Sequence, residues 1–139
     1  MIDYFSLRLP DDDIRAISSI ALAHLGDGVY ELLVRSYLCA HGKATGKGLH
    51  RAAVSLVCAP RQAAFADRIL DQLTEEELAV FKRGRNAHTG GIPKNQSSAD
   101  YHYATGLECL FGWLYLKERT ERIKELYAAI SAAEDCGNE

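Results

Sequence analysis

Glu108 stands where a charged residue is least expected. In the run YATGLECLFGW, 100° per residue places it between Ala104 and Phe111, on the apolar side of a helix. A carboxylate there needs a partner. It is either a satisfied buried acid, paired with an arginine or capping another helix, or a metal ligand or general base held ionised by a cation in a poorly solvated cleft. Asp27, in AHLGDGVYELL, has glycine on both sides, which leaves its carboxylate open and lets another backbone or a ligand approach closely. Glu31 follows one turn later on the same face. The same spacing also suits a solvated, mildly repulsive pair, or Asp27 as the N-terminal cap of its helix. No Ser-His-Asp or Cys-His constellation and no phosphate-binding or dinucleotide glycine loop stands in the sequence, so any chemistry points to hard oxygen ligands with Mg²⁺ or Mn²⁺.

The elements that must position these acids are helical. Apolar residues recur at helical spacing almost throughout, which predicts an all-α fold, and 139 residues suffice for one domain over 1–139. A first helix is expected from about Asp13 to His24, with Asp11, Asp12 and Asp13 at its positive end, and a second from about Gly26 to His41. Gly42, Gly46 and Gly48 terminate the second; a third begins near Leu49, with Pro60 marking a break or a new first turn before Leu70. Thr74 and Glu77 have capping-box spacing and open a helix to about Arg85. Residues 86–97 (NAHTGGIPKNQS) read as a loop of a kind that often carries function. Ser97 and Asp100 again have capping-box spacing and start a long helix through Tyr115, and a last helix, about Thr120 to Ala133, ends in a polar tail expected to fray over about 134–139.

Composition excludes several classes. The N-terminus MIDYFSLRLPDDD lacks a signal peptide's basic start and apolar core, and no stretch approaches a membrane span, so a cytoplasmic protein without membrane attachment is expected. Cys39, Cys58, Cys109 and Cys136 form no Cys-x-x-Cys pair and are expected as free thiols, three of them buried in apolar sequence. The formal net charge of −3 argues against a simple polybasic nucleic-acid binder. Its distribution argues otherwise. Lys43, Lys47, Arg51 and Arg61 fall in one acid-free window, and Lys82, Arg83, Arg85 and Lys94 in another; the two carry +8 over 32 residues and leave −11 over the other 107. Helix-end cations account for Lys82 to Arg85 alone. Phosphate contact accounts for both windows, which His41, His50, His88 and Asn86 also supply.

Taken together, GDGVYE, LHRAAVSLVCAPRQAAF, RGRNA and ATGLECLFGWLYL resemble the catalytic domain of the ribonuclease III family, in the short Mini-ribonuclease III form that lacks a double-stranded-RNA-binding domain, over about Ala23 to Leu116. The resemblance implies that Asp27 and Glu108 are the catalytic, metal-binding acids. The larger enzymes carry further acids where this chain has Ile20, Ala23 and Thr105, so four acids are thinned to two, with Glu31 available for an outer contact. It also implies a homodimer whose two sites flank a groove for A-form duplex, read by shape through phosphate and 2′-hydroxyl contacts. Mg²⁺, or Mn²⁺, held by Asp27 and Glu108 would activate water for in-line attack, leaving 5′-phosphate and 3′-hydroxyl ends. His50, Arg51, Arg61, Gln62, Arg83, Arg85, Asn86 and Lys94 would position the RNA. The subfamily resemblance further implies maturation of the ends of 23S ribosomal RNA precursor. A chain without a second RNA-binding domain has less surface with which to choose a site, so selection is expected to draw on a partner bound to the RNA, such as a ribosomal protein. Two rivals stand beside this: a helical dimer that clamps duplex RNA without cutting it, and a helical interaction module in which Glu108 is merely a paired core acid.

Overall fold

The computed structural model describes residues 1–41, 48, 58–87 and 98–137, with side-chain surroundings at all of these except 59 and 132–137. Every regular element among them is helical: α1 (Asp11–Arg15), α2 (Ser19–Ala40), α3 (Ala59–Ile69) with a 3₁₀ turn at Leu70–Gln72, α4 (Glu75–Arg85), α5 (Ser98–Leu116) and α6 (Thr120–Gly137). The all-α expectation is met. No helix among the described residues is long and apolar enough to cross a membrane.

The first two helices divide elsewhere than the sequence suggests. α1 is only five residues long, the chain breaks at Ala16–Ser18, and α2 then runs unbroken through Gly26, Asp27 and Gly28. Ser18 is the true cap, its hydroxyl accepting from the Ala21 N–H at 3.1 Å. Asp27 therefore lies in a helix interior and caps nothing. Gly26 is helical because packing demands it: a Cβ there would land on the Glu108 carbonyl oxygen, and a Cβ at Gly112 would land on that of Leu22. Burial against α5 outweighs the ~1 kcal/mol by which glycine disfavours a helix interior.

α5 is the hub. Leu107, Leu110, Phe111 and Leu114 are fully buried, with α2, α3, α4 and α6 arranged around them. Tyr30 of α2 stacks on Phe111 at 5.8 Å between ring centroids and meets Phe65 of α3 and Tyr127 of α6 at 6.4 and 6.3 Å. Gly84 and Gly106 repeat the small-residue logic where α4 crosses α5, since a Cβ on either would press on Cys109 or Phe81.

α4 opens with the expected capping box: the Thr74 N–H donates to Glu77 Oε1 at 2.9 Å and the Glu77 N–H to Thr74 Oγ1 at 3.2 Å. Glu77 does more than cap. It is 2% exposed, and Arg122 of α6 grips both its oxygens, Nε at 2.8 Å and Nη2 at 2.9 Å, while donating to the Gln72 carbonyl at 2.6 Å. Burial pushes the Glu77 carboxyl up, but Arg122 and Thr74 outweigh it and hold the group below its ordinary value. α5 closes in a Schellman turn, Glu118 N–H to Tyr115 O and Arg119 N–H to Leu114 O, which forces Glu118 to φ 57°. The terminal helix α6 reaches Gly137, beyond the expected end at Ala133; its backbone is regular through most of the segment expected to fray. The helix start near Leu49, the glycines 42 and 46, the Ser97 cap and most of the 86–97 loop lie outside the described residues.

Replacing Gly26 by Ala is expected to force α2 off α5 and to lower unfolding free energy by about 3 kcal/mol. Glu118→Gly, by contrast, relieves a left-handed residue and is expected to raise it by about 1 kcal/mol. Urea denaturation followed by circular dichroism measures both.

Candidate active site

Because Gly26 sits against the Glu108 carbonyl, α2 and α5 run side by side at one level, and the side chains flanking that contact face one another. Asp27 and Glu31 of α2 and Glu108 of α5 thus share one electrostatic environment. The Glu108 carboxyl is pushed up to about 8, first by burial and then by the charges of Asp27 and Glu31. No cation among the described residues pairs with it, so the arginine-paired form of the core-acid reading has no partner there. Glu31 is tethered one turn on by Arg35, Nη2 to Oε2 at 3.2 Å.

The positions that carry further acids in the larger enzymes are filled otherwise. Ile20 is exposed, Ala23 is buried, and Thr105, also buried, donates its hydroxyl to the Tyr101 carbonyl at 2.9 Å. Among the described residues no group of three or more His, Cys, Asp or Glu side chains is assembled to hold a metal ion. The fields of the three acids overlap, but they do not close into a three-ligand shell. What the arrangement offers a divalent cation is Asp27 together with Glu108: two hard oxygen donors whose repulsion no cation among the described residues relieves by pairing with Glu108. On that observation the residues fit such a metal. Cys39, Cys58 and Cys109 are in no disulfide, and burial pushes the Cys109 thiol up to about 11, so it stays protonated. Of the three whose surroundings are described, Cys109 is fully buried, Cys39 is exposed on α2 and Cys58 is half-buried at the start of α3, short of the expected three buried thiols.

Two groups of proposed RNA-contacting residues are described. Arg83, Arg85 and Asn86 gather at the C-terminal end of α4, where the helix dipole favours cations. The Arg85 guanidinium lies 6.0 Å from the Tyr103 ring, and its Nε donates to Asn86 Oδ1 at 3.3 Å. Tyr103 was not singled out from the sequence; its only signal was an aromatic residue just beyond the loop. Arg61, in the first turns of α3, lies over Phe65 at 5.7 Å. Gln62 corrects an expectation: it is 2% exposed, turned inward on the face of α3 that carries Phe65, Ala66 and Ile69, out of reach of a duplex at the surface. His50, Arg51 and Lys94, with Lys43 and Lys47, lie outside the described residues.

Comparison with known proteins agrees with this geometry. The Ribonuclease III domain family matches residues 20–119. The chain is 40% identical to Mini-ribonuclease 3 of Enterococcus faecalis over 116 residues, 82% of this chain and 88% of that one, and 47% identical to Mini-ribonuclease 3 of Desulfitobacterium hafniense over 107 residues, 77% and 68%. A crystal structure of a protein from Fusobacterium nucleatum superposes with a TM-score of 0.79 at 32% identity, covering 88% of this chain and 98% of that chain.

The Glu108 environment sets a pH dependence. Its folded pKa is raised, so the stability it allows is fully present below the ordinary value near 4.5 and is lost as pH rises through about 8. In chelator-treated protein the melting temperature of wild type is expected to fall across that window relative to Glu108→Gln, whose curve is flatter. Parallel curves for the two proteins would contradict the assignment.

Proposed function

The chain belongs to the ribonuclease III family and is an endoribonuclease, and on that premise we propose that it is a divalent-metal-dependent enzyme, a single catalytic domain over its whole length, cleaving double-stranded RNA with Asp27 and Glu108 as its metal-binding and catalytic acids. One observation supports the reading: Glu108 is held half-buried beside Asp27, and no cation among the described residues pairs with it. A fold gains nothing from that arrangement unless a cation from solution completes it. When bound, Mg²⁺ or Mn²⁺ would supply charge stabilisation at the scissile phosphate and a water of lowered pKa.

The chain's own residues do the rest. Asp27 and Glu108 must both be ionised to hold the metal, and Glu108 is the one whose proton resists leaving, so it sets the acid limb of activity in the metal-poor enzyme. Arg85 and Asn86 present donors to phosphate and 2′-hydroxyl oxygens along an A-form groove, with Tyr103 against the Arg85 guanidinium, whereas Arg83, on the side of α4 toward Trp113, would meet a duplex only as a separate contact. Arg61 adds a second positive point on α3. His50, Arg51 and Lys94 are proposed to extend this surface on the strength of the family resemblance alone. Attack by water in line with the leaving 3′ oxygen leaves 5′-phosphate and 3′-hydroxyl ends.

A homodimer is the proposed working form, and α2 supplies a physical argument for it. Ile20, His24, Gly28 and Leu32 lie one turn apart along its outer side; Ile20 is 40% and Leu32 55% exposed. A Cβ on Gly28 would meet nothing within 4 Å among the described residues, so no contact with them requires glycine in that helix interior. Close approach by a second α2 would. By subfamily, the substrate is proposed to be the 23S ribosomal RNA precursor, met in the cytoplasm and selected with help from a ribosomal protein.

The deciding experiment incubates wild type and Asp27→Asn with duplex RNA in Mg²⁺. Wild type is expected to cut and Asp27→Asn to lose at least about 100-fold in rate while keeping its fold and its duplex affinity. Binding without cutting by wild type would favour a non-catalytic RNA clamp. Arg85→Ala is expected to weaken binding and to lower the slope of log affinity against log salt by about one.

A further inference from the structure

The structure holds a pocket of about 270 Å³ that contains none of Asp27, Glu31 or Glu108. It opens between α1, the start of α2, α4 and the end of α5. Ile14, Leu22, Val80 and Trp113 give it an apolar lining, and Arg15, Arg83 and Lys117 stand around it. The two acids that share the lining are already engaged: Asp11 with Lys117 at 2.8 Å and Glu76 with Arg119 at 3.2 Å. Arg83 makes no ion pair or hydrogen bond among the described residues, and Arg15 spends one of its donors on Asp12 at 2.8 Å.

These features select a ligand class. Two guanidiniums with donors to spare match a phosphate better than a carboxylate, because several N–H groups can be shared by its three terminal oxygens. Inorganic phosphate alone would leave the apolar lining wet, so the ligand must also carry an organic body. A volume near the lower end of the usual ligand range, about 300 Å³, suits a body the size of a nucleoside. We propose that this pocket binds a nucleoside 5′-monophosphate, its phosphate on Arg83 and Arg15 and its base and sugar against the apolar lining. Only the choice of a nucleotide among organic phosphates rests on the ribonuclease reading. Two sources share that chemistry: a free mononucleotide, and the 5′-phosphorylated end of a cut RNA.

Trp113 is the only tryptophan in the chain and lines the pocket, so its fluorescence reports occupancy. Adenosine 5′-monophosphate is expected to change the emission of the full protein saturably, with half-saturation below about 1 mM, and adenosine and inorganic phosphate each to need at least about ten times more. Arg83→Gln is expected to raise the half-saturation about tenfold. Ala79→Leu, which narrows the pocket from its α4 side without touching a charge, is expected to abolish the response. Circular dichroism confirms that each variant is folded; if one is not, the other decides. A short single-stranded RNA with a 5′-phosphate, compared with its 5′-hydroxyl form, identifies the source: preference for the phosphorylated strand assigns an RNA end, and a response to the mononucleotide alone assigns the free nucleotide. The proposal is overturned if the mononucleotide gives no saturable change, if phosphate or adenosine alone does as well, or if a folded variant responds as wild type does. None of these readouts uses cleavage, so failure of the enzyme to cut RNA would leave the result standing.

Discussion

Where Gly26 lies against the Glu108 carbonyl and Gly112 against that of Leu22, two helices touch backbone to backbone, and the rest of the molecule is arranged around that contact. It fixes the distance between α2 and α5, so Tyr30 reaches Phe111 and also meets Phe65 of α3 and Tyr127 of α6. It also fixes what the two helices present beside the contact. Asp27 follows Gly26 and Glu108 carries the touched carbonyl, so the closest packing in the fold and the acid pair are set by adjacent atoms. Positioning such a pair from rigid helix backbone, rather than from loops, holds it more precisely, as the proposed catalytic role requires.

A second anchor holds the opposite side. Glu77 closes its own helix and is clasped by Arg122, which also ties the 3₁₀ turn through the Gln72 carbonyl. Buried Glu77 and half-buried Glu108 are thus treated in opposite ways. Glu77 is given a bidentate partner and held below its ordinary pKa, whereas Glu108 is given two more carboxylates and pushed above. Burial alone raises both. The difference lies in the neighbours: a cation clasps Glu77, whereas carboxylates surround Glu108.

Much of this was legible in residue types and spacing. Helical periodicity gave the all-α class, Thr74 and Glu77 the capping box, and the placement of Glu108 among apolar residues its oddity. The family resemblance, not the spacing, joined Glu108 to Asp27. What was misread has a single cause: local rules were applied where tertiary contact decides. Gly26 reads as a break between helices, but its missing side chain admits α5, and the helix continues through it. Gln62 reads as a surface amide beside Arg61, but one step along α3 turns it inward. The grip of Arg122 on Glu77 spans forty-five positions, and nothing in either local sequence announces it.

The net charge of −3 takes on a definite meaning once the helices are in place. Cations at the end of α4 face outward, where screening by salt weakens them and a polyanion strengthens them. The acids beside α5 are drawn inward, where screening is weak and only a compact, highly charged partner relieves the repulsion. An exposed carboxylate and an exposed guanidinium could have paired with each other at little cost. Keeping them on separate parts of the fold sacrifices that pairing, and leaves one surface suited to phosphates and one cleft suited to a divalent cation. A chain built only for stability would have let those charges meet.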